Sequence, residues 1–171
     1  MILQAGLIPA RLTGAAVLAD SVLPPALTLL SSMFLHGGWL HLGMNALFLI
    51  VIARFVEPVL GAGRFLLLYT LGGIAGGIVQ VFAAPGSMDP VIGASGAISA
   101  VFGTYVMRFA TRPAAGVSGV APSEWRVAGR FALAWGALQL LVSLAGLGIA
   151  VWAHIGGFLV GLALGARLPR V

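Results

Sequence analysis

The chain has 171 residues, of which 60% are hydrophobic and only 8% are charged, and its formal net charge is +5. A soluble domain of this length needs a polar surface that four acidic residues and nine arginines cannot provide, so we expect one multi-spanning membrane domain. The positive charge does not indicate nucleic-acid binding, because the arginines lie singly between apolar runs. The absence of cysteine excludes disulfides and thiolate chemistry.

Residues 1–35 are predicted to form an external loop or interfacial region with one or two short helices, because prolines and charges interrupt their apolar residues. Residues 36–171 are predicted to form an all-α, polytopic membrane helix bundle. Its five spans are expected near residues 40–56, 65–84, 91–109, 127–146 and 150–168. The expected connections are the turn EPVLGAGR, the breaker APGSMDP, the loop TRPAAGVSGVAPSEWR, and a turn near Gly146 and Gly148.

The arginines predict the orientation of these spans. Eight of them flank the first turn, the long loop and the end of the last span, which all lie on one side of an alternating topology: Arg54, Arg64, Arg108, Arg112, Arg126, Arg130, Arg167 and Arg170. Only Arg11 falls on the other side. The positive-inside rule makes the arginine-rich side, with the C-terminus, cytoplasmic. The starts of spans one, three and five are then external.

Three polar residues share that external side and a similar depth. His41, Ser95 and His154 lie near the starts of spans one, three and five, each within ~6–9 Å of the start of its span. Polar groups inside a bilayer are costly, and they usually face the bundle interior and mark function. Asn45 lies one helical turn after His41, so the two side chains share one face.

These residue types suit acyl transfer. Ser95 and His154 can act as nucleophile and general base, while His41 and Asn45 can donate hydrogen bonds to a developing oxyanion. Glu57 and Glu124 lie on the wrong side, Asp20 is in a distant loop and Asp89 is in a turn outside the span, so the sequence favours a Ser–His dyad without a carboxylate. The alternatives are a packing serine at Ser95 and a structural His–Asn pair. No H-E-x-x-H motif supports a metal site.

Small and amide-bearing residues are predicted to pack the helices together. Gly93 and Gly96 allow close approach around Ser95, and Gly157, Gly161 and Gly165 form a stripe after His154. We expect a further packing face on the second span, made of Gly72, Gly73, Gly76 and Gly77. Gln80 and Gln139 are interpreted as polar contacts between helices, without a catalytic role.

Three motifs, HGGWLHLGMNALFL, GASGAISAVFG and AHIGGFLVG, resemble those of the rhomboid intramembrane serine proteases, in that family's order. The resemblance implies that Ser95 is the nucleophile and His154 the general base, with His41, Asn45 and the Ser95 amide as the oxyanion hole. It also implies an endopeptidase that cleaves transmembrane segments of membrane proteins near the external face of the lipid bilayer. The family needs no metal or organic cofactor, and no nucleic acid is expected as a partner.

The sequence departs from the family pattern at two places. The family core has six helices, and five spans are visible here, without a counterpart of the first helix. Some members carry an aromatic residue four positions after the nucleophile that packs on the catalytic histidine, and here that position is Ser99. The alternative function is therefore a proteolytically inactive or truncated rhomboid-like binder of membrane proteins. Arginine without lysine, with abundant Ala and Gly, predicts a bacterial inner-membrane protein.

Overall fold

Long helices dominate the computed structural model, which describes residues 2–17, 22–110, 122–144 and 149–168. The expected all-α architecture is confirmed. The short helices are α1 (Ile2–Ala5), α2 (Pro9–Leu12) and α3 (Thr28–Ser31), the last flanked by 3-10 turns at Pro25–Leu27 and Ser32–Phe34. The long helices are α4 (Trp39–Leu60), α5 (Ala62–Ala83), α6 (Ser95–Tyr105), α7 (Pro122–Leu144) and α8 (Val151–Arg167).

Helix α6 lies at the centre of the bundle and packs against α4, α5 and α8. Its side chains join those of α4 and α5 in one apolar cluster that includes Ile52, Val56, Leu68, Ala100 and Val101. A π-helical turn, Val106–Ala110, extends α6. There a second cluster connects α6 to α7 and α8 through Val106, Met107, Ala128, Phe158 and Leu162. The helix that begins at Ser95 is thus enclosed by its neighbours.

Two of the described helices, α4 and α5, are long and apolar enough to cross a membrane, and α8 is a shorter apolar helix. Large hydrophobic side chains on their outer faces are exposed, as lipid-facing residues are expected to be; Leu47, Ile50, Leu66 and Leu159 are examples. The total of five spans stays a prediction.

The predicted turn EPVLGAGR is in the right place but much too long. Helix α4 continues through Glu57 and Pro58 to Leu60, and α5 begins at Ala62, so Gly61 alone separates the two helices. Pro58 lies in the last turn of α4, where it removes the hydrogen bond to the Arg54 carbonyl without ending the helix. The helix ends instead at Gly61, whose φ of 75° is easily adopted only without a side chain. The predicted start of α7 is also wrong, because residues 122–126 of the expected loop are helical.

The predicted start of the third span at residue 91 is wrong as well. Residues 91–94 are not helical, and α6 begins at Ser95. Val91 pairs with Leu7 in an isolated antiparallel bridge, with N–O distances of 3.1 and 2.7 Å. Gly93 then adopts a φ of 109°. The loop conformation comes from a contact with the distant N-terminal segment, which local periodicity does not reveal.

The N-terminal segment is buried against the connection between α5 and α6. Leu7, Ile8 and Ala10 are 1–2% exposed, and the Ala10 amide donates to the Ser87 carbonyl at 3.0 Å. This segment therefore supports the loop that leads to Ser95. Other predicted features lie outside the described residues: Asp20, Arg112, Arg170, most of the long loop, and the turn near Gly146 and Gly148.

Candidate active site

Ser95 and His154 come together at one end of the bundle. Ser95 Oγ lies 2.7 Å from His154 Nε2, within the range of a direct hydrogen bond. His154 is 8% exposed, whereas Ser95 is only partly buried. A partly accessible hydroxyl bonded to a shielded imidazole is the arrangement expected of a nucleophile and its general base.

The backbone before Ser95 places this side chain at the start of α6. Gly93 uses its positive φ to turn the chain, and its amide donates to the Ser32 carbonyl at 2.9 Å. Ala94 is the N-cap residue, and Ser95 is the first residue of the helix. Helix geometry leaves the amide of Ser95 without an intrahelical acceptor. That N–H is consequently free of the helix ladder and suitable for an anionic oxygen.

Glycines bring α8 close enough for His154 to reach Ser95. A Cβ added to Gly157 would overlap the carbonyl of Gly96, and one added to Gly161 would overlap the carbonyl of Ala100. Thr104 Oγ1 donates to the Gly161 carbonyl at 3.0 Å across the same interface. The predicted glycine face on α5 also allows α8 to approach closely, since a Cβ on Gly76 would overlap the carbonyl of Ala153.

Gln80 of α5 holds the first turn of α8. Its side-chain Oε1 accepts a hydrogen bond from the Ala153 amide at 3.2 Å. The first amides of a helix have no intrahelical acceptor, so this contact satisfies one of them in an apolar environment. The backbone immediately before His154 is fixed as a result.

His41 and Asn45 lie beside the loop that carries Ser95. A Cβ on Gly93 would lie 2.8 Å from His41 Nε2 and 3.8 Å from Asn45 Nδ2, so both nitrogens face this glycine. His41 Nδ1 accepts from the Gly37 amide at 3.3 Å, which in a neutral ring leaves the proton on Nε2. His36 packs edge-on against the His41 ring at a centroid distance of 5.2 Å. The ring therefore presents a donor to the region near Ser95.

Asn45 also has a donor available. One N–H of its Nδ2 donates to the His41 carbonyl at 2.9 Å, which fixes the amide. Because the amide nitrogen carries two hydrogens, the second can serve an oxyanion. Asn45 is 8% exposed. The predicted donor pair is thus near the predicted nucleophile.

Sequence reasoning missed the partner of the second ring nitrogen of His154. Its Nδ1 lies 2.6 Å from Oε1 of Gln139 on α7. The sequence predicts for Gln139 only a polar contact between helices, without a catalytic role, although an amide in a membrane helix can mark function. Within residues 2–17, 22–110, 122–144 and 149–168, no group of three His, Cys, Asp or Glu side chains could hold a metal ion.

Comparison with known proteins identifies the family of the chain and several relatives. A family model described as "Rhomboid domain" matches residues 25–170 of the chain. The putative rhomboid protease YdcA of Bacillus subtilis is 40% identical over 79 residues, which cover 46% of this chain and 39% of that protein. Rhomboid protein 1, mitochondrial, of Saccharomyces cerevisiae is 29% identical over 158 residues, or 84% of this chain and 42% of that protein.

A further relative, the rhomboid protease GluP of Bacillus subtilis, is 41% identical over 78 residues, which cover 46% of this chain and 15% of that protein. The matched part is less than half of the length of each of these three relatives. The similarity to the relatives is thus confined to a part of each of them.

Proposed function

The chain belongs to the rhomboid family and is an integral membrane protein, and from this premise we propose that it is an intramembrane serine endopeptidase that uses a Ser95–His154 dyad. The observation that carries the proposal is the 2.7 Å contact between Ser95 Oγ and His154 Nε2. Two protease-named relatives, YdcA and GluP, support the same activity. The substrates proposed are transmembrane segments of other proteins.

The proposed chemistry follows from the positions of the side chains. His154 Nε2 accepts the proton of Ser95 Oγ while that oxygen attacks the carbonyl carbon of the scissile bond. The carbonyl oxygen becomes an oxyanion, which the donors on His41 and Asn45 and the Ser95 amide stabilise. His154 then returns the proton to the leaving amine, and an ester to Ser95 remains. Water hydrolyses this ester by the reverse proton path.

The distribution of arginines supports a site at the external face. The reactive end of the bundle carries the start of α4, and Arg54 lies 13 residues beyond His41, ~20 Å farther along that helix. Arg108 Nη1 donates to the Leu168 carbonyl at 3.4 Å, so the arginine-bearing ends of α6 and α8 also meet. With these ends in the cytoplasm, Ser95 faces the opposite leaflet.

The test is cleavage of a single-span model substrate by the full chain, in detergent and in liposomes, alongside labelling by a fluorophosphonate probe. We expect one cleaved site, covalent labelling of Ser95, and no effect of a metal chelator. A chain that folds but neither cleaves nor reacts with the probe would instead support the inactive binder. Cleavage that a chelator stops would contradict the serine mechanism.

Removing the Asn45 donor is predicted to slow the reaction. Asn45→Ala should lower kcat by about 10²–10³-fold, the typical loss for one oxyanion donor. Asn45→Asp should be at least as slow, because a carboxylate cannot donate and repels the developing charge. The measurements are kcat, KM and the thermal unfolding midpoint of each variant in detergent.

Thr104→Val is the control for a purely structural loss. It removes a buried interhelical hydrogen bond on α6, about 13 Å along the helix from Ser95. We expect it to lower the unfolding midpoint while kcat stays within about threefold, since one such bond contributes about 1 kcal/mol. An Asn45→Asp variant with unchanged kcat would contradict the donor role of Asn45.

A further inference from the structure

The contact between Gln139 and His154 connects α7 to the proposed dyad. Oε1 of Gln139 lies 2.6 Å from His154 Nδ1, and the two side chains are 5% and 8% exposed. Both ring nitrogens of His154 are therefore engaged, one by Gln139 and the other by Ser95. A buried hydrogen bond between two polar side chains restrains both groups, because breaking it would leave each of them without a partner in an apolar environment.

The chemistry of the two partners determines which nitrogen of His154 carries the proton. The oxygen of an amide only accepts hydrogen bonds, so the Nδ1 that faces Gln139 must be the protonated nitrogen. A neutral imidazole then has its lone pair on Nε2, directed at the Ser95 hydroxyl. This is the tautomer that a general base needs, and the carboxylate of a Ser–His–Asp triad selects it in the same way.

In this chain, the residue one turn after Ser95 cannot restrain the His154 ring by packing against it. The family resemblance places an aromatic residue that packs on the histidine, in some members, at the position of Ser99. Here the Ser99 hydroxyl donates to the Ser95 carbonyl at 2.8 Å, and its Cβ faces α8 at the position of Gly157. A serine in this orientation allows the two helices to approach but offers no ring surface. The contact with Gln139 supplies a restraint from a different helix, α7.

We propose that Gln139 is a positioning residue for His154, which holds the ring in place and selects the Nδ1–H tautomer. The inference rests on the proposed function and deepens it, since a neutral amide takes the place that a carboxylate has in a triad. An amide brings no charge, so its effect is on orientation and tautomer. It should therefore alter kcat and leave substrate binding unchanged.

The test compares Gln139→Leu, which removes the acceptor, with Gln139→Glu, which keeps an oxygen acceptor whether ionised or protonated. We expect Gln139→Leu to lower kcat about 100-fold, within the range that a general base contributes, with KM within twofold of the wild type. Gln139→Glu should remain within about tenfold of the wild-type kcat. Thr104→Val is the control for the loss of a buried interhelical hydrogen bond, because Thr104 bonds the Gly161 carbonyl of α8 and not the ring or its neighbouring residues.

A spectroscopic readout separates positioning from folding. The chain has three histidines, so 15N NMR of ring-labelled protein in detergent can report the tautomer of His154, with His154→Ala for assignment. The wild type and Thr104→Val should show the Nδ1–H form of His154. Gln139→Leu should show a mixture of the two tautomers, and Gln139→Glu should restore the Nδ1–H form.

Three results would overturn the inference: a wild-type Nε2–H tautomer, an unchanged tautomer in Gln139→Leu, or a kcat of Gln139→Leu within threefold of the wild type. If Gln139→Leu does not fold, Gln139→Asn replaces it with the same expectations, because its amide is one methylene shorter and cannot reach Nδ1. If the wild-type chain cleaves nothing, the proposed function fails, and the NMR measurement still decides whether Gln139 fixes the ring.

Discussion

Ser95→Ala is expected to reduce cleavage of a transmembrane substrate by at least about 10³-fold and to abolish labelling by a fluorophosphonate. The reason is that the Ser95 hydroxyl, bonded to His154 at 2.7 Å, is the group that forms the covalent bond with the substrate in the proposed mechanism. Loss of a nucleophile removes the covalent pathway, and the remaining oxyanion donors provide only residual catalysis. The measurements are kcat/KM with a fluorogenic substrate and the labelled fraction of the protein.

Ser99→Ala is the matched control for this experiment. It removes a serine hydroxyl one turn later on the same helix, where the hydroxyl donates only to the Ser95 carbonyl. We expect activity within about threefold of the wild type, because this hydroxyl contacts no reacting group in the proposed mechanism and its loss costs only about 1 kcal/mol of folding stability.

The double variant Ser95→Ala/His154→Ala should be no slower than either single variant, since the two residues act as a unit. Comparable activity in wild type and Ser95→Ala would rule out Ser95 as the nucleophile. Labelling that persists in Ser95→Ala would place the reactive group elsewhere.

The meeting of His41, Asn45, Ser95 and His154 could be predicted from the sequence, because alternating spans constrain which residues share one side. Apolar run length located α4, α5 and α8 within a few residues, apart from the end of α4. Arginine placement predicted which side of the membrane these helix ends face, and that orientation stays a prediction. These predictions depend only on the order of the spans along the chain and on lipid as the solvent. They do not require knowledge of how side chains pack.

The partner of Gln139 could not be predicted in this way. Apart from this amide, the second half of α7 is almost uniformly apolar, so the sequence indicates that Gln139 faces the bundle but not which side chain it meets. The contact of Gln139 with His154 depends on how α7 packs against α8. The loop before Ser95 was missed for a related reason, because its shape depends on the pairing of Val91 with Leu7, more than 80 residues away in sequence.

Gly161→Ala is predicted to destabilise the bundle and to disable the site through one added methyl group. The new Cβ would lie 2.7 Å from the Ala100 carbonyl carbon and 2.9 Å from its Cα, and these backbone atoms cannot move aside. The helices α6 and α8 must then separate. We expect a loss of about 3 kcal/mol in the free energy of unfolding, at the upper end of overpacking costs, which lowers the unfolding midpoint by about 6–12 °C.

The same separation would move His154 away from Ser95, because the two residues lie on the two helices that Gly161 holds together. A displacement of about 1 Å costs roughly 10²-fold in rate for aligned catalytic groups, so kcat should fall even below the unfolding midpoint. Gly129→Ala makes the same chemical change on α7, where nothing lies within 4 Å of the new Cβ. It should keep or raise the midpoint, since alanine favours helix over glycine by about 1 kcal/mol. Equal midpoints and equal kcat for the two variants would contradict the close α6–α8 contact on which the geometry of the dyad depends.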